Sequence, residues 1–152
     1  MYKKFENSGK IEIINEYKKR ADHKDLLSIS RFFAQNGDDL KITTNIHFKD
    51  KKYEEVFGAL IGTKYERKCP DLIINEKFYE YENFIPPITK RSLSNMFTRG
   101  LSQSSNLIIN NNKGMTDRII KKVIFNRIRI GQTINEVLLY EKGVVRMLYK
   151  KQ

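Results

Sequence analysis

The chain has 152 residues with 39% hydrophobic and 31% charged content, which predicts one globular domain over residues 1–152 and excludes an intrinsically disordered chain. Its single cysteine cannot form an internal disulfide, and the sequence shows no apolar signal core and no run of 18 apolar residues, so we expect a cytoplasmic protein without a membrane partner. The net charge is +11, and residues 83–152 supply +10 of it from 13 basic and 3 acidic side chains, which favours a polyanionic partner.

The first half of the chain mixes strand-like alternation with apolar residues at helical spacing. The predicted elements are strands at 2–5 and 10–14, a helix at 22–35, a strand at 40–46, a helix at 51–61 and two short strands within 69–82. Between the last two strands we place a two-residue turn at Asn75-Glu76, because asparagine tolerates the positive φ that such a turn needs.

The second half begins after Pro86-Pro87, which interrupts regular structure. Its predicted elements are a helix from Thr89 to about 104, a strand at 107–110, a helix from Thr116 to near 131, and strands at 134–141 and 144–149 that turn at Lys142-Gly143. This order of helices and hairpins predicts an α/β or α+β fold in which helices flank a central mixed β-sheet.

The hairpin around Asn75-Glu76 gathers carboxylates. With that turn, Asp71 lies opposite Glu80, and Glu82 shares their face of the sheet. Opposed like charges destabilise a sheet unless a cation neutralises them, and Mg²⁺ prefers one or two carboxylates completed by water and phosphate oxygens. The alternative is that Asp71 ends its strand and that the glutamates face solvent.

A basic stripe follows the helix that begins after Thr116. Its members at helical spacing are Arg118, Lys121, Lys122, Phe125 and Arg129, and an isoleucine-rich face lies opposite them. Such a stripe suits a phosphate backbone, and it is extended by cations of the preceding helix, namely Lys90, Arg91 and Arg99. The alternative is an ordinary solvated face.

The carboxylate hairpin resembles a known motif. Pro70-Asp71, eight intervening residues and the triplet Glu80-Tyr81-Glu82 resemble the metal-binding core of the PD-(D/E)XK nuclease superfamily, although lysine is usual at the position of Glu82. From about residue 52 onward the chain also resembles the C-terminal tRNA-nuclease domain of CdiA, the contact-dependent growth inhibition toxin. The matching pieces are 70–82, 91–105 with Gln103-Ser104-Ser105, 107–110, 116–130 and 134–149.

This resemblance implies a restriction-endonuclease-like fold and metal-dependent cleavage of phosphodiester bonds in tRNA. Asp71 and Glu80 would hold the divalent metal, with Mg²⁺ ahead of Mn²⁺ or Zn²⁺. A preceding helix often supplies one more acid, here Glu54 or its neighbour Glu55, and Gln103 fits a polar contact near the site. An inhibitor or immunity protein is a further partner to consider, and the sequence does not decide whether one exists.

The glutamate in the lysine position leaves three readings open. Another base, such as Lys64, Lys68 or Lys90, orients the attacking water; or Glu82 is a further metal ligand; or catalysis is lost while binding is kept. The alternatives to a nuclease are therefore a non-catalytic nucleic-acid-binding module with the same fold and a basic accessory protein of a larger assembly.

Overall fold

The computed structural model describes residues 2–4, 9–14 and 22–152. The chain divides into two compact units, Met1–Phe78 and Tyr79–Gln152. Within the described ranges each unit combines helices with a sheet of parallel and antiparallel strand pairs, which confirms the predicted α/β class and the mixed pairing.

The first unit pairs its strands in chain order. Its described elements are β1 (Tyr2–Lys4), β2 (Lys10–Ile13), α1 (His23–Gln35), β3 (Leu40–Ile42), α2 (Lys51–Phe57) and β4 (Leu72–Ile74). β2 and β3 are parallel, whereas β1–β2 and β3–β4 are antiparallel. α1 connects the parallel pair and packs against it through buried Leu26 and Ile29. Phe5, the predicted end of the first strand, lies outside the described residues.

The second unit consists of two successive β-α-β crossovers and a final hairpin. Its elements are β5 (Lys77–Glu82, which starts in the first unit), α3 (Lys90–Leu101), β6 (Asn106–Asn110), α4 (Asp117–Arg129), β7 (Glu136–Glu141) and β8 (Val144–Lys150). β5–β6 and β6–β7 are parallel, and β7–β8 is antiparallel. Successive right-handed crossovers in one direction place both connecting helices on the same face of the sheet.

One apolar cluster shows that α3 and α4 do share this face. It joins residues of both helices to alternate residues of β6 and β7, all of them buried: Leu93, Met96, Phe97, Ile120, Ile124, Leu107, Ile109, Val137 and Leu139. Burying aliphatic and aromatic side chains of this size contributes roughly 1.5–3 kcal/mol each relative to exposure. The helices are therefore fixed side by side by the sheet beneath them.

The element boundaries follow local chemistry. Thr89 and Ser92 form a capping box at the start of α3, with Thr89 Oγ1 accepting from the Ser92 N–H at 3.1 Å and Ser92 Oγ accepting from the Thr89 N–H at 2.8 Å. Lys142 and Gly143 both have positive φ, 48° and 82°, as a two-residue hairpin turn requires. Among the described residues, no helix is long and apolar enough to cross a membrane.

Candidate functional site

The turn between β4 and β5 lies where the sequence predicts it. β4 ends at Ile74 and β5 begins at Lys77, and Asn75 and Glu76 have φ of 47° and 69°. Both values are positive, as the two-residue turn requires. The Asn75 side chain holds the turn in place, because its Oδ1 accepts from the Asp39 N–H at 3.0 Å and its Nδ2 donates to Asp38 Oδ1 at 2.6 Å.

The first two motif carboxylates are buried. Asp71 lies in the first unit directly before β4, with 5% of its surface exposed, and its carbonyl oxygen accepts from the Thr43 N–H at 3.0 Å. Glu80 lies in the second unit on β5 with 7% exposed. A buried carboxylate is stable in its charged form only with hydrogen bonds or a compensating cation. The predicted opposition of Asp71 and Glu80 stays a prediction.

Glu82 is held by an arginine. It shares the face of β5 with Glu80, because Glu80 pairs with Leu107 and Glu82 with Ile109, which both point into the cluster beneath α3 and α4. Its Oε2 atom lies 3.4 Å from Arg99 Nη2, and 14% of its side chain is exposed. Arg99, which the sequence assigns to nucleic acid, therefore neutralises Glu82 and also lies 3.4 Å from the Asn83 carbonyl oxygen.

The sequence predicts that Asp71 and Glu80 hold a hard cation, and this stays a prediction. Within residues 2–4, 9–14 and 22–152, no three His, Cys, Asp or Glu side chains come together in a group that could hold a metal ion. A pair of carboxylates suits Mg²⁺ or Mn²⁺, which complete their coordination with water and phosphate oxygens. Zn²⁺ fits this donor set less well, because its sites in proteins use three or four protein ligands.

The two further predicted site residues occupy separate units. Glu54 is exposed in the first turn of α2, a helix that Asp50 caps by accepting from the Lys52 N–H at 2.9 Å. Gln103 is half-buried just beyond α3, where its backbone N–H donates to the Gly100 carbonyl at 2.9 Å. A catalytic role for either residue stays a prediction.

A basic groove of about 900 Å³ runs between α3 and α4 in the second unit. It is lined by Lys90, Ser94, Thr116, Arg118, Ile119, Lys122, Val123, Asn126, Arg127, Arg129 and Ile130. The described residues of this lining include five cations and no acid. Four of the cations were predicted to bind nucleic acid, namely Lys90, Arg118, Lys122 and Arg129, and all four are exposed.

Arg127 joins the two walls of the groove. Its Nη2 atom donates to the Ser94 carbonyl at 2.7 Å, to Ser94 Oγ at 2.9 Å and to Thr98 Oγ1 at 2.7 Å, and its Nη1 atom donates to Gln132 Oε1 at 3.2 Å. Sequence reasoning missed this residue. A signal did exist, because Arg127 follows Ile119 and Val123 at four-residue spacing, so a cation falls on the face predicted to be apolar.

The predicted basic stripe divides between two sides of α4. Lys121 is exposed but does not line the groove, and the Phe125 ring packs edge-on against the Tyr149 ring with centroids 6.1 Å apart. The stripe therefore does not form a single surface, because positions 121 and 125 point away from α3. Arg91 and Arg99 line a smaller pocket of about 230 Å³ on the other side of α3, beside Ile85, Pro86 and Pro87.

The acid at the start of α4 is neutralised. Arg146 of β8 donates to both oxygens of Asp117, at 2.6 and 2.9 Å, and also to Glu141 at 2.9 Å. These hydrogen bonds hold the pKa of Asp117 below its ordinary value, and the nearby charge of Lys121 acts in the same direction. Asp117 is thus paired with Arg146 on β8, and it is not among the described residues that line the groove.

Comparison of this chain with known proteins finds no matching family model, no matching curated protein and no matching solved structure.

Proposed function

We propose that this protein binds nucleic acid, and that the groove between α3 and α4 is where it does so. The observation that carries the proposal is the set of five cations around this groove, without an acid among the described residues that line it. Each cation that neutralises a phosphate releases condensed counterions, which is the main source of sequence-independent affinity for nucleic acid.

Two exposed polar residues of the lining also suit a phosphate backbone. Thr116 and Asn126 offer a hydroxyl and an amide group of the kind that contact phosphate oxygens, whereas Ser94 is engaged by Arg127. Arg127 holds the two walls together, so the exposed cations project from a fixed surface. Because the lining residues include no aromatic side chain, the groove offers no platform on which unpaired bases could stack.

A charge reversal on α4 tests this proposal with a matched control. Lys122→Glu should weaken binding to labelled RNA and DNA and reduce the slope of log K against log salt by about 0.9 for each lost phosphate contact on a duplex. Lys121→Glu makes the same change on the same helix outside the groove, so it should have a clearly smaller effect. Fluorescence anisotropy across a salt series measures both quantities.

If Lys121→Glu and Lys122→Glu lose the same amount of binding affinity, α4 contributes only diffuse positive charge. The groove would then not be the binding site. Unchanged affinity and salt slope for Lys122→Glu would also contradict the proposal. Circular dichroism of each variant confirms that the fold is retained, as expected for exposed positions.

We infer as a second candidate that the protein cleaves what it binds, as a metal-dependent nuclease of restriction-endonuclease-like fold acting on tRNA. The observation that favours it is the burial of Asp71 and Glu80 at the spacing of the nuclease motif, on either side of the turn at Asn75-Glu76. A Mg²⁺ ion held by these carboxylates would activate a water and polarise the phosphate.

Within this candidate, each carboxylate has a stated task. Asp71 and Glu80 would bind and orient the cation, and the groove cations would bind the nucleic-acid backbone. Glu82 is already paired with Arg99, so we assign it to holding α3 against β5 rather than to metal ligation or to the role of the usual lysine.

Isosteric variants test the role of each carboxylate in cleavage without creating a cavity at a buried position. Asp71→Asn and Glu80→Gln should each abolish Mg²⁺-dependent cleavage of tRNA and leave binding to the groove unchanged. Because both residues are buried, alanine variants should lose roughly 1–3 kcal/mol of unfolding free energy. Cleavage assays with Mg²⁺, Mn²⁺, Zn²⁺ or chelator, together with urea unfolding, separate lost chemistry from lost fold.

Full cleavage by Asp71→Asn would rule out this metal site. Binding by the wild-type protein without cleavage under any metal condition would instead favour the non-catalytic module. Glu82→Lys is compared with these variants, because it restores the lysine that is usual in the motif but breaks the ion pair between Glu82 and Arg99.

A further inference from the structure

α3 carries polar and basic residues on both of its flanks. On the side of α4, Lys90 and Ser94 line the larger groove. On the opposite side, Arg91, Asn95 and Arg99 line the smaller pocket. The exposed outer surface between them is formed by Arg91, Asn95 and Thr98, while Leu93, Met96 and Phe97 are buried against the sheet. α3 is therefore a ridge with a recess along each side. The larger recess holds the five groove cations, and the smaller one is bordered by Arg91 and Asn95, which also form the edge of the ridge, and by Arg99, which is paired with Glu82.

The geometry points to α3 as a recognition helix that enters the major groove of duplex DNA, with phosphates of one strand in the larger groove and phosphates of the other strand in the smaller pocket. This inference rests on the proposed binding of nucleic acid and adds the class of nucleic acid and its orientation.

The dimensions favour DNA over RNA. An α-helix with its side chains is about 10–12 Å across, and the major groove of B-form DNA is about 12 Å wide. The major groove of A-form RNA is deep and too narrow to be read by side chains. The residues that line the two recesses include no aromatic ring, which argues against single strands, since these are held largely by stacking.

The outer face of α3 supplies the residue types that read base edges. Arg91 and Asn95 are one helical turn apart and both are exposed, so their side chains are neighbours on the ridge. Arginine pairs with guanine O6 and N7, and asparagine pairs with adenine N6 and N7, in the major groove. Thr98 and Ser94 are already engaged by Arg127, which leaves them to position the helix.

Three labelled probes of equal sequence and length test the class of partner: duplex DNA, duplex RNA and single-stranded DNA, at one salt concentration. We expect duplex DNA to bind roughly tenfold or more tightly than the other two probes, because only its major groove admits the helix. Duplex RNA that binds as tightly as duplex DNA would overturn the inference but leave the proposed function intact. If none of the three probes binds, both the inference about α3 and the proposed binding of nucleic acid are overturned.

Methylation of guanine N7 then tests the orientation, since this atom faces the major groove. The wild-type protein should protect N7 in a duplex DNA footprint, and Asn95→Ala and Arg91→Gln should reduce or shift that protection while binding persists through the groove cations. Lys113→Gln, an exposed change in the loop before α4, is the control and should leave the footprint unchanged. Binding without N7 protection, or protection that both ridge variants leave unaltered, would show that α3 does not enter the major groove.

Discussion

Gly100 shows how one residue near the end of α3 determines what can lie beneath that helix. A Cβ atom at this position would stand 2.8 Å from Leu107 Cδ2 and 3.1 Å from Glu82 Cγ. Leu107 is fully buried in the apolar cluster and has little room to move. The absence of a side chain at Gly100 is therefore what lets α3 sit directly on β5 and β6 and brings Arg99 within reach of Glu82.

Gly100→Ala should consequently lower the free energy of unfolding by about 1–3 kcal/mol, because overpacking a closed core forces side chains off their rotamers. Gly58→Ala is the matched control, since Gly58 has helical φ and ψ and its added Cβ would meet nothing closer than 3.7 Å. That variant should gain about 0.4–1 kcal/mol of unfolding free energy, because alanine reduces the conformational entropy of the unfolded chain. Urea unfolding of both variants measures the difference, and equal stability of Gly100→Ala and wild type would contradict the close approach.

Among single residues, the features that depend on chain neighbours could be predicted from the sequence. The turn at Asn75-Glu76 and the start of α3 after Thr89 followed from local chemistry, because each depends on residues that are neighbours in the chain. The partner of Glu82 could not be predicted in the same way. Arg99 is 17 positions away, and it approaches Glu82 only because α3 folds back over the strand that carries this glutamate.

At the scale of elements, the link between α4 and β8 is electrostatic as well as apolar. Arg146 connects the first residue of α4 to the last hairpin through two hydrogen bonds to Asp117. Because this pairing depresses the pKa of Asp117 in the folded state, it stabilises the fold above the ordinary pKa of an aspartate. The contribution is lost as the pH falls through the depressed value and the carboxylate becomes protonated.

Asp117→Asn should therefore reduce stability at pH 7 by at most about 1 kcal/mol, since the pair is exposed and partly screened. At a pH below the depressed pKa, the variant and the wild type should be nearly equally stable. Glu55→Gln, a change at an exposed carboxylate of α2, serves as the control and should differ from wild type by less than about 0.5 kcal/mol at pH 7. If Asp117→Asn is less stable than the wild type by the same amount at low pH, the loss of stability comes from packing and not from the ion pair.

Most element positions could be predicted from periodicity, but their ends could not. The sequence predicts a strand to residue 46, whereas β3 ends at Ile42. Similarly, the helix predicted at 51–61 ends as α2 at Phe57 and continues as a short 3-10 turn, Gly58–Leu60. Alternation and helical spacing report which face is buried, but they do not mark the residue at which the backbone hydrogen bonds of an element stop.

At the scale of the whole molecule, composition predicted the excess of charge but not its arrangement. Residues 83–152 hold +10 of the net charge, and the groove collects five of these cations. Which cations meet depends on the two crossovers that bring α3 beside α4, a tertiary relation that spacing along one helix does not contain. This is why Arg127 was missed and why Lys121 was included in a surface that it does not share.

The two crossovers also bear on the thermodynamics of binding. Both walls of the groove are anchored in one apolar cluster and joined by Arg127, so we expect the groove backbone to keep its shape when a ligand binds. Loss of conformational entropy on binding is then confined to a few long side chains, at about 0.5–1.5 kcal/mol each, instead of including the ordering of a loop. A preorganised surface of this kind should associate at a rate set by electrostatic steering, which falls as salt is added.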